Sequence, residues 1–271
     1  PGVMQAGLEW LGGRAILNSA NLEDGEHEGS RLDRVFRLAR EHGAAVVCLL
    51  IDEEGQARDV EWKMRVAHRI HDIATNRYGL ESGDLIFDAL TFPLSTGDEG
   101  LRKDALNTIE AIRRITSELP GTYTTLGVSN VSFGLSPAAR QVLNSVFIAE
   151  CTKVGLSSAI VHASKILPLS RIPEEQRDVC LDLIWDRRGA EGVLSGGAAD
   201  YDPLHRLLEV FADVKAEEVV KEDRSGWPVE RRLSTRIIDG DREGLTDDLD
   251  EAMAAGVAPL DIINDVLLEG M

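Results

Sequence analysis

The chain has 271 residues, 43% of them hydrophobic, and carries 29 Lys plus Arg against 47 Asp plus Glu, a formal charge of −18. That balance repels a phosphate backbone, whose binding needs clustered cations, so nucleic acid is excluded as an expected partner. No apolar run approaches the ~18 residues of a membrane span, and the opening PGVMQAGLEW lacks the basic-then-apolar order of a secretory leader, which favours the cytoplasm.

The first apolar run, RAILNSA (14–20), predicts a strand, and RLDRVFRLAREHG (31–43) predicts a helix. That helix has Leu32, Val35, Phe36, Leu38 and Ala39 on one side and Gly43 as its stop. A second strand follows in AAVVCLLID (44–52), then a helix in DVEWKMRVAHRIHDIATNRYG (59–79) with Met64, Ala67, Ile70 and Ala74 at helical steps. DLIFDAL (84–90) predicts a third strand, LRKDALNTIEAIRRITSELPG (101–121) a helix, TTLGVSN (124–130) a fourth strand, SPAARQVLNSVFIAECTKVG (136–155) a helix and SSAIVHA (157–163) a fifth strand. Continuous rather than alternating hydrophobicity marks these strands as covered on both faces, as in a parallel sheet. Cys48, Cys151 and Cys180 are odd in number and form no C-x-x-C pair, which argues against disulfides and cysteine zinc sites and leaves three buried thiols.

Past residue 166 the organisation changes. SGGAAD (195–200) and the charged stretch ADVKAEEVVKEDRSGWP (212–228) have the composition of connecting segments. Three amphipathic helices follow: Val229, Leu233 and Ile237 step by four, as do Leu245, Leu249 and Met253, and Pro259 opens a third with Leu260, Ile263 and Leu267. The expected division is an α/β barrel domain over 1–211, a linker over 212–228 and a small α-helical bundle over 229–271.

Each predicted strand ends in a polar residue: Asn18, Asp52, Asp88, Asn130 and His162. A βα unit takes about 30 residues or more, and these positions recur at that spacing, the rhythm of a (β/α)8 TIM-type barrel of which five units are visible. Active sites of such barrels lie at the C-terminal strand ends, so these side chains are expected to converge. The competing interpretation is that strand-end Asn and Asp cap helices or shape turns. Carboxylates and carboxamides without Lys or Arg suit a neutral heterocycle whose amino-imino edge donates to an Asp. No G-x-S-x-G elbow indicates a nucleophile. His68 and His71 with Asp72 are better read as a solvated helix face than a metal site, and DEEGQA (52–57) lacks the ligand spacing of a calcium loop.

LNSANLEDGE (17–26), AAVVCLLIDEEGQA (44–57), LIFDAL (85–90) and above all GVSNVSFGL (127–135) resemble the pterin-binding domain of the cobalamin-dependent methionine synthase family and related corrinoid methyltetrahydrofolate methyltransferases. The resemblance implies Asn18 and Asp88 as ligands of the pterin edge and Asn130 as the catalytic partner of N5, with Asp52 and Ser129 as further binding residues. His162 stands where the family more often has Asn. The same resemblance implies 5-methyltetrahydrofolate as methyl donor, earlier barrel strands and another pterin-binding Asp upstream of Pro1, and a segment from Pro228 onward that begins a helical cap over cobalamin. The cobalt-ligand motif is then expected beyond Met271, and zinc in a separate homocysteine domain. A dihydropteroate-synthase-like enzyme and a non-catalytic scaffold are the alternatives; the former family uses a Lys and an Arg that GVSNVSFG does not offer.

Overall fold

A computed structural model of the chain describes residues 2–214, 224, 226–239 and 244–267. Most of the expected linker, residues 215–223 and 225, lies outside the described residues, as do 268–271 of the expected cap segment. Two compact units form, 1–216 and 217–271.

The first unit runs α1 (Gly2–Trp10), β1 (Ile16–Ala20), α2 (Arg31–His42), β2 (Ala45–Leu49), a small hairpin of β3 (Ile51–Asp52) and β4 (Gly55–Gln56), α3 (Val60–Tyr78), β5 (Leu85–Asp88), α4 (Asp104–Glu118), β6 (Tyr123–Thr125), α5 (Pro137–Lys153), α6 (Glu174–Ile184) and α7 (Pro203–Val210). Local chemistry sets the helix limits. Ser30 accepts from Asp33 N–H to start α2, Asp59 accepts from Trp62 N–H to start α3, and Ser136 with Pro137 opens α5. Gly43 ends α2 in the left-handed region at φ 64°, a conformation that costs a side-chain-bearing residue.

Strands β1, β2, β5 and β6 form a parallel sheet in that order, and Gly127 bridges in parallel to Ile160 on the far side of β6. The strand-helix alternation with parallel neighbours is a partial (β/α) barrel of the expected class. The sheet has two faces. Leu17, Val46, Cys48, Leu85 and Phe87 join the large core under the helices, where Phe36, Ile70, Ile112 and Phe147 are fully buried. Burying each such side chain contributes about 1.5–3 kcal/mol. On the opposite face Ala45, Val47 and Ile86 form a separate small cluster. β1 is an edge, with Ile16 61% exposed. Cys48, Cys151 and Cys180 are buried free thiols, as expected from their spacing.

Two expected strands differ. SSAIVHA is reduced to one bridge: Ser158 N–H donates to Thr124 O and Ile160 N–H to Leu126 O, and the ladder stops there because its partner strand coils away. The predicted strand 124–130 ends at Thr125, and residues Val128–Ser132 form a 3-10 turn.

The second unit contains α8 (Val229–Asp239), α9 (Leu245–Ala254) and α10 (Pro259–Asp261), the last running into a π-helical turn at Ile262–Leu267. Val229, Leu233, Ala252, Ile262 and Val266 make its core. The third predicted stripe is displaced: Ile262 and Val266 point inward, while Leu260 and Ile263 are 70% and 49% exposed. Arg232 is buried beside them, with Nε 2.9 Å from Asp248 Oδ1, while Arg236 Nε lies 2.5 Å from Asp248 Oδ2. Among the described residues no helix is long and apolar enough to cross a membrane.

Candidate pterin site

A cavity of about 330 Å³ opens at the C-terminal end of the sheet, lined by Gln56, Asp88, Leu90, Thr91, Phe92, Pro93, Gly127, Asn130 and Phe133. Asp88 is the last residue of β5, and Asn130 belongs to the turn that follows β6, its sheet neighbour. Adjacent parallel strands therefore bring these two polar groups to one opening.

The Asp88 carboxylate is held by its own loop. Oδ1 accepts from Leu90 N–H at 2.9 Å, and Leu90 takes the left-handed conformation at φ 61°. Thr108 hydroxyl donates to Leu90 O at 2.8 Å, and Lys63 ammonium donates to Ala89 O at 2.5 Å. Burial pushes Asp88 up to about 6, with the Leu90 N–H and the Lys63 charge pulling the other way. The second carboxylate oxygen has no hydrogen-bond partner among the described residues.

The opposite wall is the turn bearing Ser129 and Asn130. Phe133 N–H donates to Asn130 O, Ser132 hydroxyl and Arg140 both donate to Ser129 O, and Leu94 N–H donates to Val131 O. Two backbone bonds and two side-chain donors thus tie the turn, leaving the exposed Asn130 carboxamide without a hydrogen-bond partner among the described residues. Phe133 stands 65% exposed at the rim. Ser129 contributes its carbonyl to the tie; its side chain is not part of the cavity lining.

The remaining expected residues lie elsewhere. Asn18 is exposed on β1, paired with Val47 of β2, which pairs with Ile86 of β5. It alternates with the core residue Leu17, so it shares the sheet face of Asp88, two strands away, about 10 Å at normal strand spacing. It does not line the cavity. Asp52 is buried in the β3–β4 hairpin, where its carboxylate accepts from Trp62 Nε1 at 2.9 Å and Glu54 N–H at 3.0 Å and faces Arg65 at 3.4 Å. Those bonds direct it into α3, and it is Gln56 of the same hairpin that reaches the cavity. His162 is exposed, with Nδ1 3.0 Å from Ser164 Oγ. His68 pairs with Glu118 and His71 with Ser82, and among the described residues no group of three His, Cys, Asp or Glu is placed to hold a metal ion.

Gln56, Thr91, Phe92 and Phe133 were not singled out from sequence, although Phe133 sits inside the GVSNVSFG motif. Lys63 had a signal that went unused: a cation in phase with the buried stripe of α3, seven residues before Ile70.

A parallel α/β sheet with an acidic and an amide side chain over one cavity at its C-terminal strand ends has the form of a small-molecule-binding barrel. The sequence matches the family model described as pterin binding enzyme over residues 1–162, more than half of the chain, and the chain belongs to that family. Residues 229–271 match a B12 binding domain. Over 99% of its length the chain is similar to methionine synthase from Mycobacterium tuberculosis (strain ATCC 25618 / H37Rv), 53% identical, and to methionine synthase from Mycobacterium leprae (strain TN), 52% identical. It spans 22% of the length of each.

Proposed function

We propose that this chain is the folate-binding module of a cobalamin-dependent methionine synthase, holding 5-methyltetrahydrofolate for transfer of its N5-methyl group to cob(I)alamin and onward to homocysteine. The observation that carries the reading is the shared cavity: Asp88 and Asn130 line one opening in a chain whose family binds pterins. The outward oxygen of Asp88 accepts from the amino-imino edge of the pterin, a donor pair that a carboxylate matches and a phosphate site would not. Asn18, on the same sheet face, meets the edge from the β1 side. Asn130 is the residue nearest the chemistry. A tertiary amine leaves only when charge at its nitrogen is stabilised, and a carboxamide can donate to or accept from N5 as its protonation changes. Phe133 at the rim shields the ring from water. Asp52 and Ser129 support the site through the hairpin and the turn they hold.

Cobalamin, when bound, supplies the nucleophilic cobalt that takes the methyl group. In the second unit Met253, Leu260 and Ile263 are exposed apolar side chains, and the corrin contacts are assigned to other parts of the polypeptide. Ligation of cobalt, and of the zinc that activates homocysteine, is assigned to other domains of the same polypeptide. The formal charge of −18 suits a cytoplasmic enzyme with no nucleic-acid partner.

The test is titration calorimetry of the full-length protein with 5-methyltetrahydrofolate, paired with methyl transfer to added cob(I)alamin. Binding with transfer supports the module reading. Binding of a pterin without transfer would instead support a dihydropteroate-synthase-like enzyme, and the absence of any pterin binding would leave a scaffold.

A further inference from the structure

Lys63, near the start of α3, is among the largest fully buried side chains of the protein, beneath the cavity that holds Asp88. Its ammonium donates to Ala89 O, inside the loop that follows β5, and lies 5.3 Å from the centre of the Phe92 ring that lines the cavity. The charged groups around it come from several elements: Asp104 from α4, Asp88 from β5, and Arg58 and Asp59 from the segment leading into α3. Asp104 already has a partner, for Arg58 Nη1 lies 2.6 Å from its Oδ2. Stripping water from an ammonium is unfavourable, and a Met or Leu of similar volume would fill this space without that penalty. Stability alone is therefore a poor reason for a lysine here. What a hydrocarbon cannot do is bind the Ala89 carbonyl and place a positive charge under Asp88.

Resting on the assignment of Asp88 as a pterin ligand, we propose that Lys63 is a positioning residue of that site. From beneath, it fixes the Ala89 carbonyl, hence the turn that aims Asp88, and sets its positive charge against that carboxylate. It touches no substrate and acts through Asp88.

The direction of the effect follows from the electrostatics. A carboxylate that accepts from the pterin edge must be ionised, and burial pushes Asp88 up to about 6 while Lys63 opposes that rise. Burial in turn lowers Lys63 to about 8, with Asp104 and Asp88 opposing. Folate affinity should thus weaken below about pH 6, as Asp88 gains a proton. Removing the opposing charge therefore moves the acid midpoint up.

The experiment is calorimetric titration of the full-length wild type and Lys63→Met with 5-methyltetrahydrofolate from about pH 5 to about pH 9.5. The expected result for Lys63→Met is an acid midpoint raised by about one unit and an affinity at pH 6 reduced about fivefold, with the deficit shrinking as pH rises. Wild-type affinity and profile in the variant would overturn the proposal. So would a loss uniform across pH with the acid midpoint unchanged, the mark of a purely structural role. Should Lys63→Met not fold, Lys63→Gln decides: an acid midpoint raised above that of wild type supports the proposal, and an unchanged midpoint refutes it. A wild type that binds no folate at any pH fails at the earlier step, the pterin assignment itself.

Discussion

Replacing Asp88 by Asn separates ligand recognition from folding. The Asn side chain keeps the volume and one oxygen, so the bond to Leu90 N–H at 2.9 Å and the left-handed Leu90 survive. What changes is the outward atom: a charged acceptor becomes an NH2 donor facing the donor edge of the pterin. Hydrogen bonds to charged groups are worth about 1.5–3 kcal/mol, and the opposed donors add to that, so a loss of about 3 kcal/mol is expected, about 100-fold in Kd. The effect on folding has the opposite sign. Because Asp88 is raised to about 6 in the folded chain, its stabilising contribution is fully present below the unfolded carboxylate value and is lost as pH rises through about 6. At neutral pH the buried charge is a cost that Asn removes. Titration calorimetry near neutral pH should therefore show the affinity loss, while thermal melting of the full-length protein should show a Tm equal to or above wild type. An affinity within about threefold of wild type, with Tm preserved, would refute the assignment of Asp88 to the pterin edge.

Asn130→Ala should leave folate Kd within about tenfold but slow single-turnover methyl transfer by about 100-fold or more, the usual effect of losing a transition-state hydrogen-bond donor. Asp52→Ala orphans the Trp62 indole N–H and the Glu54 N–H, so urea titration should show a loss of about 1–3 kcal/mol. Asp248→Ala leaves Arg232 and Arg236 without their shared carboxylate, and should lower the melting of the second unit followed by circular dichroism while folate affinity stays at its wild-type value.

The alternation of apolar runs with amphipathic stripes made β1, β2, β5 and α2 to α5 legible, because each stripe was long enough for its period to show. The fifth run was over-read: SSAIVHA has the composition of a strand, but pairing depends on what its neighbour does, and the neighbour turns at Val128. Polar residues in phase at strand ends pointed to Asp88 and Asn130, which do share a cavity. Phase alone could not say that Asp52 turns back to Trp62, since that depends on a two-residue hairpin and on one indole N–H. Nor could the stepping of Leu260 and Ile263 show that Ile262 and Val266 face inward, because a π-helical turn shifts the register within one turn.

The three cysteines of the first unit have a practical consequence. Burial raises each thiol far above its ordinary range, and all three are shut inside the structure, one on β2, one on α5 and one on α6. Reaction with a disulfide reagent then requires the packing to open, so the rate of thiol modification is a built-in clock for opening of the first unit. Bound folate should slow that clock in proportion to its occupancy, giving a kinetic route to ligand affinity independent of calorimetry.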